Sequence, residues 1–509
     1  MAELNRRHFL KLSSAPVATL PGCTAHPLPV RSPCASAIPG REATTVVNDI
    51  HSQLNATRVD AIVKPATLAE IGACLAHARA AGKSVAIAGG RHAMGGQQFG
   101  EASILVDMRA MNRVLAFDDE RGVITVEGGI EWPELIGHLN QVQEGRTRQW
   151  GIVQKQTGAD RLSIAGALSC NAHGRGLNLK PIVSQVHAFD LVGPDGTVRR
   201  CSRTEHPELF RLAIGGYGLF GLIVRVELQL RPRVKVRRVV ALGRTADIID
   251  RFEERIRDGF LYGDYQFATD STRDSFLMSG IFSCYEPVPS DTPLTEHPTR
   301  FTPKDWARLT IYSHTQKRRA FQVYSTRYLA TSGQIYWADS QLSAAYVDNY
   351  HRDLDAATGA QVPGTEMITE IYVVRPRLLA FMRQARELLR ERQANMIYGT
   401  VRMIEKDDET FLAWARDRYA CVIFNLHIDH TPEAINQAAE TFRQLIDLGI
   451  AHNGSYYLTY HRWARQDQVE RCYPQMREFL AIKRQHDPQE VFQSTWYRHY
   501  RTMFEQRSA

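Results

Sequence analysis

Apolar residues recur at helical spacing over residues 65–81, where Leu68, Ile71, Cys74, Leu75 and Ala78 share one face and Gly82 supplies a stop. The short apolar run 84–88 predicts a strand. It leads directly into Gly89-Gly90-Arg91-His92-Ala93-Met94-Gly95-Gly96-Gln97, whose glycines permit tight turns and close backbone approach. Residues 103–108 predict another strand, and 114–117 pair with 123–126 across Asp118-Asp119-Glu120-Arg121-Gly122. No helix follows the glycine loop, so the order differs from the strand, loop and helix of a Rossmann unit.

The second half begins after an alternating strand at 222–230, with Pro232 as a boundary and the basic run 231–238 expected as a solvated strand edge. From Met367 onward the pattern reads strand 367–374, helix 377–393, strand 397–404, strand 420–428 and helix 432–448. This predicts an antiparallel sheet backed by helices on one face, and an α+β chain overall. Alternation sets Phe424, Leu426 and Ile428 against Asn425 and His427, and Val401 and Met403 against Tyr398, Thr400 and Arg402. Ile371 and Val373 likewise oppose Glu370 and Tyr372. Such a polar face either meets solvent or lines a pocket.

With 509 residues, 44% of them hydrophobic and 23% charged, the chain can bury the cores of two or more domains. That composition excludes a disordered, collagen-like or disulfide-scaffold protein. The net charge of +7 comes from Lys and Arg scattered among acidic residues, which argues against a nucleic-acid partner. The eight cysteines show no zinc or iron–sulfur spacing, so no metal is expected.

Asn5-Arg6-Arg7-His8-Phe9-Leu10-Lys11 and the weakly apolar stretch 12–25 resemble a twin-arginine export signal; a basic tail is the plainer alternative. The stretch is too short and polar to span a bilayer. Leu20-Pro21-Gly22-Cys23 also reads as a lipoprotein cleavage box with a lipid anchor at Cys23, although Pro21 fits it poorly. Residues 1–40 are therefore expected to be signal and linker, and the destination periplasmic or secreted. This route carries folded proteins, which suits an enzyme that loads a cofactor before export.

Four segments together resemble the FAD-binding domain of the vanillyl-alcohol oxidase superfamily, also called the p-cresol methylhydroxylase (PCMH) type. They are the glycine loop; Gly128-Gly129 with the helix opening at Trp132-Pro133-Glu134; Ser163-Ile164-Ala165-Gly166-Ala167-Leu168-Ser169-Cys170-Asn171-Ala172-His173-Gly174; and His206-Pro207-Glu208-Leu209-Phe210 with Gly215-Gly216-Tyr217-Gly218 through Ile223. The resemblance implies an FAD-binding domain over 41–235, a substrate or cap domain over 236–470 and a segment 471–509 returning to the FAD domain. Cofactor contacts then fall on Gly89, Gly90, Arg91, His92, Ala93, Gln97, Gly158, Ser163, Gly166, Ser169, His173 and Ile223. His92 takes the position of the histidine that many members bond to the flavin 8α-methyl group. Arg91 and Ala93 depart from the usual flanking Gly and Ser, which leaves plain hydrogen bonding as the alternative. His173 is similar to the flavin-adjacent histidine of the decaprenylphosphoryl-ribose oxidase branch.

A cap sheet of this kind lies over the flavin in the superfamily, which makes Glu370, Tyr372, Tyr398, Arg402, Asn425 and His427 pocket candidates, with His427 as a general base. Residues 454–461 and 479–492 resemble cytokinin dehydrogenases and sugar-lactone oxidases, and bring in Tyr460 and Lys483. The implied reaction moves a hydride from the CH–OH group of a small alcohol, sugar or lactone to the flavin, with oxygen or a quinone as acceptor. Oxidation of a CH–NH substrate, an electron-carrier or binding module and a nicotinamide-dependent reductase are the alternatives. The aspartate base of cytokinin dehydrogenases falls here on Gly158, with Asp160 two residues later, which favours the alcohol.

Overall fold

The computed structural model describes residues 45–342 and 350–505, so the arginine pair, Cys23 and the linker lie outside the described residues. All of the described chain falls within one unit, Ile38–Ala509. A parallel three-stranded sheet opens the fold, ordered Ala61–Val63, Ile104–Asp107, Val85–Ala88. Parallel neighbours need a crossover, and helix Leu68–Ala80 provides the first one. The Thr67 hydroxyl caps this helix by accepting from the Glu70 N–H, and Ile71, Cys74, Leu75 and Ala78 are buried as their spacing predicts. The second crossover, from Val85–Ala88 to Ile104–Asp107, is the glycine loop itself, without a helix.

Beside this sheet lies a five-stranded antiparallel one, ordered Val198–Ser202, Val186–Val192, Leu222–Gln229, Val123–Glu127, Val114–Asp118. Gly128 and Gly129 run so close to neighbouring backbone that added Cβ atoms would collide with the carbonyls of Ile223 and Met108. Residues 491–493 hydrogen-bond to Val85, which ties the C-terminal stretch to the parallel sheet.

The second half builds one eight-stranded antiparallel sheet: Ile335–Trp337, Lys235–Arg244, Ser279–Val288, Tyr262–Phe267, Met396–Ile404, Tyr419–Asp429, Gly364–Val374, Ser455–Tyr456. Helices Leu378–Glu391 and Pro432–Ala451 cover one face: Phe381 meets Phe424, and Gly449 gives Ile371 room to approach. The opposite face, with Glu370, Arg402 and Asn425, is left for the first half. The basic run at 231–238 corrects the expected solvated edge, because Lys235–Arg244 pairs along its length with Ser279–Val288 and its start, Lys235–Arg237, also pairs with Ile335–Trp337. Arg238 is buried, stacks over Tyr328 at 4.1 Å and donates to the Ser283 hydroxyl at 3.1 Å.

Candidate active site

A cavity of about 620 Å³ lies between the first-half loops and the polar face of the large sheet. Two elements shape its first wall. In the glycine loop, Arg91 adopts a left-handed φ of 59°, and side chains at Gly89 and Gly90 would collide with the Ser163 hydroxyl and the Arg161 carbonyl. Asn55 donates to the Met94 carbonyl at 2.6 Å, while Gln97 accepts from the Gly95 N–H and donates to the Leu458 carbonyl at 2.8 Å. The loop is thus pinned from two distant segments.

The second element is helix Ile164–Ser169, capped by the Ser163 hydroxyl, which accepts from the Gly166 N–H; the Ser169 hydroxyl donates back to the Ala165 carbonyl. The Ser163 and Ser169 hydroxyls therefore hold the scaffold in shape.

All twelve positions named as cofactor contacts line this one cavity: Gly89, Gly90, Arg91, His92, Ala93, Gln97, Gly158, Ser163, Gly166, Ser169, His173 and Ile223. His92 Nδ1 lies 2.9 Å from His51 Nε2. Burial, then the neighbouring His51, pulls the His92 pKa down to about 3, so its imidazole is neutral near pH 7.

The opposite wall centres on Glu370, which is fully enclosed. His173 Nε2 is 2.8 Å from its Oε2, Tyr372 donates to the same oxygen at 2.9 Å, and Tyr460 donates to Oε1 at 2.7 Å. Burial alone would raise the carboxyl pKa, but the charge and hydrogen bond of His173, with Arg402 and Tyr460, outweigh it and hold the group at about 2. Glu370 is therefore a carboxylate at any ordinary pH. Tyr372 reaches it from behind the cavity, stacked on Trp414 at 4.7 Å.

Arg402 donates through Nη2 to the Thr157 hydroxyl at 2.7 Å, bridging sheet and loop. Its Nε, Arg91 Nε, Asn425 Oδ1 and Gln266 Oε1 are buried without hydrogen-bond partners, and all four residues line the cavity. Buried polar atoms without partners are uncommon in proteins, and four around one cavity mark the place of a polar ligand.

Of the side chains expected at the substrate, His173, Glu370, Tyr398, Arg402, Asn425 and Tyr460 line the cavity; Tyr372, His427 and Lys483 do not. His427 sits one layer behind, against Glu366. Lys483 lies in helix Met476–His486, with Nζ 2.5 Å from Asp487 Oδ2 and both side chains buried. Asp487 also accepts from the N–H groups of Val491 and Phe492, so this pair locks the C-terminal turn. Lys483→Met leaves Asp487 as an unpaired buried charge. It is expected to cost about 3–5 kcal/mol, read as a lower Tm, with kcat unchanged in whatever folds.

Helices Pro303–Thr315 and Lys317–Leu329, not evident from the sequence, bring Trp306, Phe321, Tyr324 and Tyr328 to the cavity. Their apolar residues follow no clean helical stripe. The one local signal was the cap, where the Thr302 hydroxyl accepts from the Asp305 N–H, Asp305 returns the bond, and Pro303 opens the helix.

A glycine-walled cavity with unpartnered donors and acceptors, faced by a buried carboxylate and an arginine, belongs to the class of proteins that hold a large polar cofactor beside a smaller substrate. Residues 59–202 match the FAD binding domain family. Residues 59–202 thus form a PCMH-type FAD-binding domain like that of the FAD-linked oxidases, within an α+β fold, and the cofactor is FAD.

It is 23% identical over 445 residues to L-gulono-1,4-lactone dehydrogenase of Mycobacterium tuberculosis (strain H37Rv), covering 86% of this chain and 95% of that protein. It is 27% identical over 195 residues to L-gulonolactone oxidase of Mus musculus, covering 38% of this chain and 42% of that protein. Cytokinin dehydrogenase 6 of Oryza sativa subsp. japonica is 27% identical over 217 residues, covering 40% of this chain and 39% of that protein. The chain thus spans 42% of the length of the mouse and bovine L-gulonolactone oxidases it matches.

Proposed function

We propose that the protein is an FAD-dependent oxidoreductase acting on the CH–OH group of a sugar-derived lactone or a related small alcohol. The observation that carries this reading is the ionised Glu370, with Tyr460 and His173, facing a glycine-rich cofactor wall across a cavity that also holds the unpartnered Arg402 Nε. Bound FAD supplies the two-electron acceptor for the hydride.

The protein's own part is positional and electrostatic. Arg402 donates to a ring or carbonyl oxygen of the substrate, and the aromatic helices pack against its carbon face. The substrate hydroxyl proton passes through the Tyr460 hydroxyl to Glu370. A carboxylate with a pKa near 2 suffices here, because a hydroxyl on a carbon losing hydride becomes strongly acidic.

A CH–NH substrate is less well supported. A side chain at Gly158 would meet only open space, and Asp160 is held by Lys155 Nζ at 2.5 Å. L-Gulono-1,4-lactone and L-galactono-1,4-lactone are the first substrates to try, on the strength of the names of the similar proteins. Oxygen-coupled and quinone-coupled turnover then distinguish the two acceptors. The N-terminal arginine pair supports export of the folded, cofactor-loaded chain to the periplasm or beyond.

We also propose that His92 would be the covalent attachment point of FAD: the bond to the 8α-methyl carbon would replace one of its C–H bonds, with the proton released and the electron pair passing through the flavin to the oxygen or quinone acceptor, and a neutral imidazole is the nucleophilic form. After acid precipitation the yellow colour is expected in the protein pellet, and His92→Ala should release it. Free flavin from the wild-type protein would overturn the linkage and leave the FAD reading standing. A preparation that never takes up flavin would overturn both.

A further inference from the structure

The cluster His314, Glu366 and His427 at the cavity margin takes no part in the chemistry above. Glu366 and His427 face each other directly across the paired strands Gly364–Val374 and Tyr419–Asp429. Helix Pro303–Thr315 brings His314 over them, and the two imidazole rings meet edge to face with centroids 5.0 Å apart. His314 Nε2 is 2.8 Å and His427 Nδ1 3.4 Å from the same oxygen, Glu366 Oε1. One ligand atom from each residue lies within 4.8 Å of the others. The ligands are 52 and 61 positions from Glu366 in sequence, so no local spacing announces them.

Two further observations point to a cation among them. His314 Nδ1 lies 2.8 Å from the Thr310 carbonyl, which can only accept, so Nδ1 carries hydrogen. With Nδ1 committed to that carbonyl, Nε2 is the ring nitrogen that faces Glu366 Oε1 and the one placed to share a cation with it. A backbone carbonyl on the far ring nitrogen is also how proteins orient a metal-binding histidine, and Asp429 Oδ1 stands 3.4 Å from His427 Nε2 in the same relation. Independently, Glu366 Oε2 is buried without a hydrogen-bond partner, although Glu366 is only 5% exposed and lines the cavity. The other such group among the described residues, His173, Glu370 and Cys421, differs because both Glu370 oxygens already accept from tyrosines.

We propose that His314, Glu366 and His427 bind one divalent transition-metal ion of the zinc or cobalt type, with an open coordination position turned toward the cavity. Two imidazoles and a carboxylate suit such ions, and three protein ligands leave room for a water or a substrate oxygen. The site stands on its own geometry and does not depend on the substrate proposed above.

The test uses untagged, FAD-loaded protein stripped by dialysis against a chelator and titrated with Co²⁺. One equivalent is expected to bind, with visible ligand-field absorption that Zn²⁺ abolishes. Glu366→Gln and His314→Gln should each weaken binding about tenfold to a hundredfold or more, whereas His187→Ala, at an exposed histidine, should leave it unchanged. If Glu366→Gln fails to fold, judged by circular dichroism and flavin content, His314→Gln on its separate helix carries the comparison. Absence of saturable Co²⁺ binding, equal binding in both variants, or loss only in Cys421→Ser would overturn the proposal.

Discussion

Glu370→Gln is expected to lower kcat by about 10²- to 10⁴-fold while KM and FAD content change far less. The substitution keeps size and one acceptor oxygen, so the structural change is small. It removes the charge that Tyr460 and His173 are arranged around. An amide cannot take up the substrate proton, and Tyr460 then has nowhere to pass it.

The same group leaves a pH signature. The folded-state pKa is depressed from 4.5 to about 2, so Glu370 contributes stability that is fully present above about 4.5 and is lost as pH falls through 2. The contribution is on the order of 3 kcal/mol. Thermal melts between pH 5 and 2 should show a steep fall in Tm for the wild-type protein and a shallower one for Glu370→Gln.

Arg402→Met is expected to raise KM for the proposed lactone or alcohol substrate by about tenfold to a hundredfold, the worth of one hydrogen bond from a charged donor, with a smaller loss in kcat. Methionine fills much of the same space but cannot donate, so the Thr157 hydroxyl loses its partner and the substrate oxygen loses its anchor. Arg402→Lys should recover only part of the loss, because a lysine cannot reproduce the guanidinium fork that binds Thr157 through Nη2 while presenting Nε. Steady-state kinetics across the three forms measures this directly. If KM stays level and only kcat falls, Arg402 acts in the chemical step and not in binding.

The cavity's first wall was legible in sequence because glycines are hard to replace where backbone meets backbone, as at Gly90, Gly128 and Gly129, or where a side chain presses on the backbone, as the Ser163 hydroxyl does at Gly89. Glu370, Arg402 and Asn425 were legible because alternation along a strand sorts side chains between faces. Glu366 was missed by a single position: the strand was read from Met367, whereas it begins at Gly364. His427 was assigned to the right face, but alternation gives a face and no position along it, and it lands behind the cavity. The burial of the strand Lys235–Arg244 was obscured by Arg238, which stacks on Tyr285 and Tyr328, a pairing that only the folded chain creates. Lys483 shows the converse error, since a lysine near a recognisable segment can serve a buried turn as readily as a substrate.

The central claim is that one cavity holds FAD and oxidises a CH–OH substrate beside it. Anaerobic addition of L-gulono-1,4-lactone, L-galactono-1,4-lactone and a panel of related polyols to the purified yellow protein tests this directly through the flavin absorbance. The account predicts rapid bleaching by at least one lactone or alcohol, slowed about a hundredfold or more in Glu370→Gln. Yellow protein that no CH–OH compound bleaches, or that only amines bleach, would contradict it.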